Sequence, residues 1–196
     1  MSKPYNMKKE NGYDLIRGHI DQFWPSTKKT EFSWKSSPIS KNLPNFSVCQ
    51  IEPNSPDGEW VYITIGLSDV HSPNNEHIEL FILSPNKDAT HTDTLAMVAN
   101  FHADPKYGVY LGKTVNIGRP WMRKATCDYF LVSLPYSVEP KFEWLRIENT
   151  ATRFLWLLPI TSAEARYADK FGLDALEKKF EEQGIEYLNP IRPSAV

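Results

Sequence analysis

Hydrophobic positions recur along this chain with two different periods, and the period indicates which segments form helices and which form strands. One stripe with three- and four-residue steps predicts a helix near the N-terminus that ends before Pro25. The same spacing predicts a second helix over residues 90–102. Between these helices, residues 26–44 are rich in Ser, Lys, Thr and Pro, which predicts an irregular surface arm. The first stripe consists of Tyr13, Ile16, Ile20 and Phe23.

Period-two alternation and short apolar runs predict the strands of a sheet. The run at 59–67 is apolar on both faces, which is typical of a central strand covered on two sides: Val61, Ile63, Ile65 and Leu67 on one face, and Trp60, Tyr62 and Thr64 on the other. The run at 76–83 is predicted to be its antiparallel neighbour. The remaining runs, which fit an earlier strand and a later meander, lie at 46–52, 127–134, 142–147 and 153–158.

The C-terminal part is predicted to be helical. Thr161 and Glu164 have the spacing of a capping box, Gly172 is expected to divide the helical stretch, and Gly184 to end it. Residues 185–188 are predicted to add a short terminal strand. The predicted fold class is α+β, a single domain with a mixed, largely antiparallel β-sheet flanked by helices. In it, residues 1–45 form an N-terminal helix and arm attached to the main body at 46–196.

Composition and charge exclude several classes of function. There are 22 Lys plus Arg against 24 Asp plus Glu, and the net charge of -2 argues against a general nucleic-acid binder. A mild basic excess in the first 45 residues is explained by solvated lysines. The chain has no apolar run of 18 residues and no signal-peptide pattern near its start, so we expect no membrane partner and a cytoplasmic location. Its two cysteines predict no disulfide framework.

Motifs for catalysis, cofactors and metals are also missing from the sequence. The five histidines lack helical zinc-site spacing, and Gly112-Lys113-Thr114 lacks the remainder of a phosphate-binding loop. Cys49 and Cys127 lie within apolar runs, where buried, inert thiols are expected. We therefore predict no catalytic residue, no cofactor and no metal. The best remaining candidate for acid-base or metal chemistry is the loop flanked by His71 and His77, whose acids Asp69, Glu76 and Glu79 could join them in space, although ordinary polarity of an exposed loop explains these residues better.

Several segments, in order, resemble the suppressor of fused domain. The strand and turn from Trp60 to Asp69 carry the most specific resemblance. The others, in chain order, are Glu79-Leu80, Leu95-Ala96, Leu158-Pro159-Ile160 leading to Glu164, Gly172-Leu173-Asp174-Ala175-Leu176 and Pro190-Ile191-Arg192-Pro193. The resemblance spans residues 46–193 and is of the bacterial single-domain type. One departure is that the family's Gly-His-Thr turn reads Gly112-Lys113-Thr114 here.

The resemblance implies a non-enzymatic protein-binding module, and in bacteria an immunity-type protein that neutralises a cognate toxin by occlusion. Its partner would be another protein, either a toxin or an extended peptide segment taken up at a sheet edge or an aromatic-rimmed cleft. The animal relatives hold a transcription-factor peptide between this domain and a second one. The sequence does not determine the oligomeric state. We expect partner-binding residues at the rim: Tyr62, Ser68, Asp69, His71, Glu76 and Glu79.

Three alternatives remain open on the sequence. The protein could be a small enzyme or ligand-binding protein that uses a cleft near Asp69, His71, His77 and Glu79. It could be a structural partner within a larger assembly. Finally, Ser68 and Asp69 could serve only to satisfy backbone donors in their turn.

Overall fold

A computed structural model describes residues 12–104, 106–147 and 150–196 of the protein. The helices within these residues are α1 (Gly12–Phe23), α2 (Pro38–Asn42), α3 (Thr90–His102), α4 (Ser162–Phe171) and α5 (Leu173–Gln183). The strands are β1 (Lys29–Ser33), β2 (Ser47–Ile51), β3 (Trp60–Ile65), β4 (His77–Ser84), β5 (Thr114–Asn116), β6 (Tyr129–Ser133), β7 (Trp144–Ile147) and β8 (Thr150–Ile160).

The strands form one mixed sheet in the order β1-β2-β3-β4-β8-β6-β5, and β7 pairs with β8. Neighbours are antiparallel except β4 and β8, which run parallel with Leu80 opposite Leu155. The eleven-residue β8 is long enough to pair with β7 along its first part and with β6 along its second. The predicted fold class, with a mixed and largely antiparallel sheet, is confirmed.

Helices cover both faces of the sheet, so the core has two halves. On one face, α2 and α3 pack on Tyr62, Leu80 and their neighbours. On the other face, α1, α4 and α5 pack on Val61, Ile63 and Phe81. Burial on both sides explains why the β3 sequence is apolar on both faces. No helix among the described residues is long and apolar enough to span a membrane.

Many of the predicted elements are confirmed, and their bounds agree closely. The structure contains the N-terminal helix that ends before Pro25, the helix over 90–102, and the pair β3 and β4 in antiparallel register. The capping box at Thr161 is present, and Gly172 separates α4 from α5. Both cysteines are buried. These features depend on contacts between residues near in sequence or on simple burial, and sequence patterns report both directly.

Other predictions are wrong. The arm at 26–44 contains edge strand β1 and the short helix α2. Strand β1 is largely exposed, so it has no apolar alternation that would have revealed it. The last three strands are not a meander, because β6 pairs with β8 rather than with β7. Residues 185–188 form no strand. Leu67 packs on the Tyr62 face rather than with Val61, because the chain turns at Gly66.

Candidate functional site

The turn that follows β3 begins at Gly66 and continues as a single turn of 3-10 helix, Leu67–Asp69. Gly66 has a φ of 92°, in the left-handed region that favours glycine. A side chain there would also bring its Cβ within 3.2 Å of the carbonyl oxygen of Asn45. Both the backbone angle and the lack of space therefore require glycine, and the turn directs Asp69 outwards, where it is exposed.

The carboxylate of Glu79, which is fully buried, holds this turn from inside. Its Oε1 accepts hydrogen bonds from the backbone N–H of Gly66 at 2.9 Å and of Ser68 at 3.2 Å, and from the Ser68 hydroxyl at 2.8 Å. Its Oε2 accepts from the Thr64 hydroxyl at 2.6 Å and the Leu67 N–H at 3.3 Å. One side chain thus satisfies three backbone donors that would otherwise be left without partners at the start of the 3-10 turn.

The donors around Glu79 are all neutral, which determines its electrostatics. Burial raises the pKa of Glu79 to about 7, while the hydrogen bonds from Thr64, Ser68 and Gly66 act in the opposite direction. No Lys or Arg among the described residues forms an ion pair with this carboxylate. The turn is therefore held by hydrogen bonds alone, and its anchor is a carboxyl whose ionisation lies near neutral pH.

Asp69 is held in place by residues from two other parts of the chain. The Tyr13 hydroxyl of α1 donates to Asp69 Oδ2 at 2.6 Å, and the Asn45 side-chain amide donates to the same hydroxyl at 3.0 Å. Burial and the hydrogen bond to Asp69 raise the pKa of Tyr13. The acid is therefore exposed but oriented. Neither Tyr13 nor Asn45 was predicted from the sequence. Tyr13 fits the apolar stripe of a helix, and no motif includes Asn45.

The loop between the turn and β4 is ordered by short-range hydrogen bonds. A ring nitrogen of His71 lies 2.9 Å from the side-chain oxygen of Asn75, and one of His77 lies 2.7 Å from the Ser68 carbonyl oxygen. The two imidazole rings are 4.2 Å apart. At the end of the loop, Glu76 pairs with Arg153 at 3.3 Å.

Arg153 continues this network away from the loop. It also contacts Glu143 at 2.8 Å, and its guanidinium lies 5.0 Å from the centre of the Trp144 ring. No sequence motif marked Arg153, whose partner Glu76 lies 77 positions away in the chain.

A pocket of about 250 Å³ opens beside the turn, between α1 and the start of β4. Its walls include Tyr13, Ser68, Asp69, His77 and Thr152. His71 lines a different pocket, of about 220 Å³, together with His102. The structure therefore brings Ser68, Asp69 and His77 to one pocket and separates His71 and Glu79 from it.

Two of the expected rim residues do not lie at the rim. Tyr62 is fully buried on the face covered by α3, where its hydroxyl accepts from the Asp88 N–H at 2.9 Å and its ring lies 5.0 Å from that of His91. Glu79 is also fully buried. The expectation that these two side chains face a partner is corrected, because neither has exposed surface. Ser68, Asp69, His71 and Glu76 have such surface, and we call these four residues the Asp69 rim.

Both thiols of the chain lie in the core. Burial raises the pKa of Cys49 to about 12 and of Cys127 to about 11, so neither thiol forms a thiolate near neutral pH. Within the described ranges, no group of three or more His, Cys, Asp and Glu side chains could hold a metal ion. At the Gly112-Lys113-Thr114 turn, Gly112 has a φ of 86° and the Thr114 hydroxyl donates to Asp169 at 2.9 Å.

Comparison with known proteins places these features in a family. Residues 43–193 match the family model for suppressor of fused protein. A solved suppressor of fused homologue from Neisseria gonorrhoeae FA 1090 is 37% identical, covers 94% of this chain and 97% of its own, and has a TM-score of 0.84. A search of curated proteins finds no match.

Two more distant structures share the fold. A chain of the Sufu-Fu complex is 14% identical, with coverage of 96% of this chain and 93% of its own and a TM-score of 0.66. Drosophila Suppressor of Fused is 13% identical, with a TM-score of 0.59 and coverage of 94% of this chain. This chain spans about half of the Drosophila one, 51% of its length.

Proposed function

The chain belongs to the suppressor of fused family, and we propose that it is a non-enzymatic protein-binding module that captures its partner at the Asp69 rim. The observation that carries the proposal is an exposed carboxylate held in a fixed orientation from both sides. Glu79 fixes the turn from within the core, and Tyr13 fixes the Asp69 side chain from α1. Orienting a charged group before binding lowers the entropy cost of recognition.

The composition of the Asp69 rim supports a partner with a basic or hydrogen-bond-donating surface. Asp69 accepts from Tyr13 but pairs with no cation among the described residues. The adjoining pocket, with Ser68 and His77 in its wall, can receive one side chain of such a partner. A structure of Sufu with Fu shows that a protein of this family forms a complex with another protein.

We propose further that the protein acts in the cytoplasm as an immunity-type protein, with a toxin as its partner and occlusion as its mechanism. Occlusion requires a stable surface and no bond-breaking step, which agrees with buried thiols and an anchored turn. In this role the toxin's active surface would be covered by the Asp69 rim, and turnover of substrate by the toxin would stop while the complex lasted.

The test is to capture the partner with tagged protein from the native host, identify it, and measure binding with purified components. Asp69→Ala should weaken binding by about tenfold or more, as expected for an oriented charge at an interface, while the melting temperature changes little. Asp57→Ala is the matched control, because Asp57 is also exposed but lies in the β2–β3 connection, at the other end of the sheet.

The outcomes separate the proposal from its alternatives. Equal losses of binding and stability in Asp69→Ala would show that the carboxylate serves only its own turn. Co-expression should restore growth of cells that produce the partner if that partner is a toxin, and Asp69→Ala should not restore it. Turnover of a small molecule that disappears in a folded His77→Ala variant would favour the ligand-binding or enzyme hypothesis instead.

A further inference from the structure

A second cavity, of about 370 Å³, lies at the opposite end of β3 and β4 from the Asp69 rim. The C-terminal end of α1, the connection from β2 to β3, and residues 137–139 enclose it. Val61 at the start of β3 and Leu83 near the end of β4 form part of its wall, whereas Ser68 and His77 belong to the other ends of these strands. The cavity is therefore a separate site, and ligand binding there is independent of the function proposed above.

The lining combines aromatic rings with carboxylates. Phe23 and Trp24 contribute the rings, and Glu59 and Glu139 contribute the acids. Neither carboxylate forms a hydrogen bond or ion pair with another of the described residues, and none of the lining residues is Lys, Arg or His. Burial raises the pKa of Glu59, as expected for a carboxylate that is partly shielded from water without a cation beside it.

Two lysines that follow α1 in the chain already have acidic partners outside the cavity lining. The ammonium group of Lys28 pairs with Glu52 at 2.7 Å. That of Lys29 pairs with Asp21 at 2.9 Å and donates to the Trp24 carbonyl oxygen at 2.6 Å. Because the lining holds two carboxylates and no Lys, Arg or His, the cavity favours a positive charge.

We propose that this cavity binds an organic ammonium ion, with the charge beside Glu59 and Glu139 and the alkyl groups against Trp24 and Phe23. Aromatic faces attract ammonium groups, tryptophan most strongly, and a carboxylate next to the ring adds a direct charge interaction. A metal ion would have to give up strongly held water to contact the aromatic wall, and a neutral ligand would leave the acids without partners. A free alkylamine and a lysine side chain share the required chemistry.

The proposal is tested by residue-resolved NMR titration of the full chain with choline. The comparison ligand is its uncharged isostere, in which carbon replaces the nitrogen. Choline should shift resonances around Trp24 and Glu59, and the isostere should bind at least about fivefold more weakly. The double variant Glu59→Gln with Glu139→Gln should lose about fivefold or more in choline affinity. Both glutamates are exposed residues, so this variant is expected to fold normally.

Two controls keep the result specific. Asp57→Asn removes a neighbouring exposed acid that does not line the cavity and should leave choline affinity unchanged. Asp69→Ala should also leave it unchanged, which separates this site from the Asp69 rim. Titration with Nα-acetyl-lysine amide, whose side-chain ammonium is free, distinguishes the two sources of the ammonium group. Tighter binding than choline indicates a lysine side chain, and weaker binding indicates a free amine. Equal binding of choline and its isostere, or no loss in the double variant, would overturn the proposal.

Discussion

Two buried glutamates organise the two ends of this molecule, and they do so in different electrostatic surroundings. Glu79 and Glu164 are both fully buried. Each carboxylate accepts backbone N–H bonds at the start of a helical turn, Glu79 from Gly66 at 2.9 Å and Glu164 from Thr161 at 2.8 Å. Among the described residues only Glu164 of the two has a counter-ion, Arg192, whose guanidinium contacts its two oxygens at 2.7 and 2.8 Å.

Because only one of them has a counter-ion, the two carboxyl groups have pKa shifts of opposite direction. Burial acts to raise the pKa of Glu164, but the hydrogen bonds and charge of Arg192 outweigh it, so the pKa lies below its usual value. Burial raises the pKa of Glu79 to about 7, because its neutral donors lower the pKa by less than burial raises it. In this protein, neutral hydrogen bonds hold the Glu79 carboxyl in place but only partly offset the effect of burial on its pKa, whereas the charge and hydrogen bonds of Arg192 keep Glu164 ionised over a wider pH range.

Breaking the Glu164–Arg192 pair is expected to have the largest effect. Arg192→Met leaves the Glu164 carboxylate buried without a counter-ion and should cost about 3–5 kcal/mol in the free energy of unfolding. Urea unfolding followed by circular dichroism measures it. The double variant Arg192→Met with Glu164→Gln should recover part of the loss, because it removes the uncompensated charge. A loss below about 1 kcal/mol would show that solvent or rearrangement replaces the arginine.

Replacement of Glu79 by glutamine should have an intermediate effect. The amide keeps one acceptor oxygen but turns an NH2 group towards donors such as Thr64 and Leu67, at an expected cost of about 1–3 kcal/mol by the same unfolding measurement. Glu182→Gln, on the exposed face of α5, should change stability by less than about 0.5 kcal/mol. A Glu79→Gln variant as stable as its parent would mean that the turn does not rely on this carboxylate.

The pH dependence of stability should have opposite signs for the two acids. Because the folded pKa of Glu79 lies above its ordinary value of 4.5, its contribution is fully present below that value and is lost as pH rises towards about 7. The slope cannot exceed about 1.4 kcal/mol per pH unit for one group. Unfolding measured between these values should show a shallower decline in Glu79→Gln than in the parent.

Glu164 supplies the matching control for this titration. Its folded pKa is lowered, so its contribution is present above its ordinary pKa and is lost as pH falls through the folded value. Glu164→Gln should therefore lower stability at neutral pH, where the ion pair with Arg192 is intact, and should reduce the slope of the acid limb without changing the slope near neutrality. If Glu79→Gln and Glu164→Gln changed the slope of stability against pH over the same pH range, the proposed difference between the two sites would be wrong.

The smallest expected effect is at the outer side of the Glu79 turn. Tyr13→Phe removes the hydrogen bond to the exposed Asp69 and should cost about 0.5–1 kcal/mol in thermal or chemical unfolding. Tyr110→Phe is the control, because the Tyr110 hydroxyl has no hydrogen-bond partner among the described residues. A larger loss than that of Glu79→Gln would place the anchor of the turn in α1 rather than in the core.

The sequence determined those elements whose causes are local. The stripe of α1, the two-sided apolar pattern of β3, the alternation of β4 and the capping box of α4 each involve residues a few positions apart, and all are present in the structure. The resemblance to the family also rested on short ordered segments, and it is confirmed by the match over 43–193. Asp69 was identified from the segment that resembles the family, and the structure places it at the surface.

Only the tertiary structure decided which polar residues meet and which are removed from solvent. Strand β1 forms by pairing with β2, and its own exposed sequence gives no sign of it. Glu79 and Tyr62 read as alternating surface or rim positions, but helices on both faces of the sheet and the turn at Gly66 bury them. Tyr13 meets Asp69 across 56 positions of sequence. Periodicity reports the face of an element, whereas the partner of a buried polar group depends on packing between distant segments.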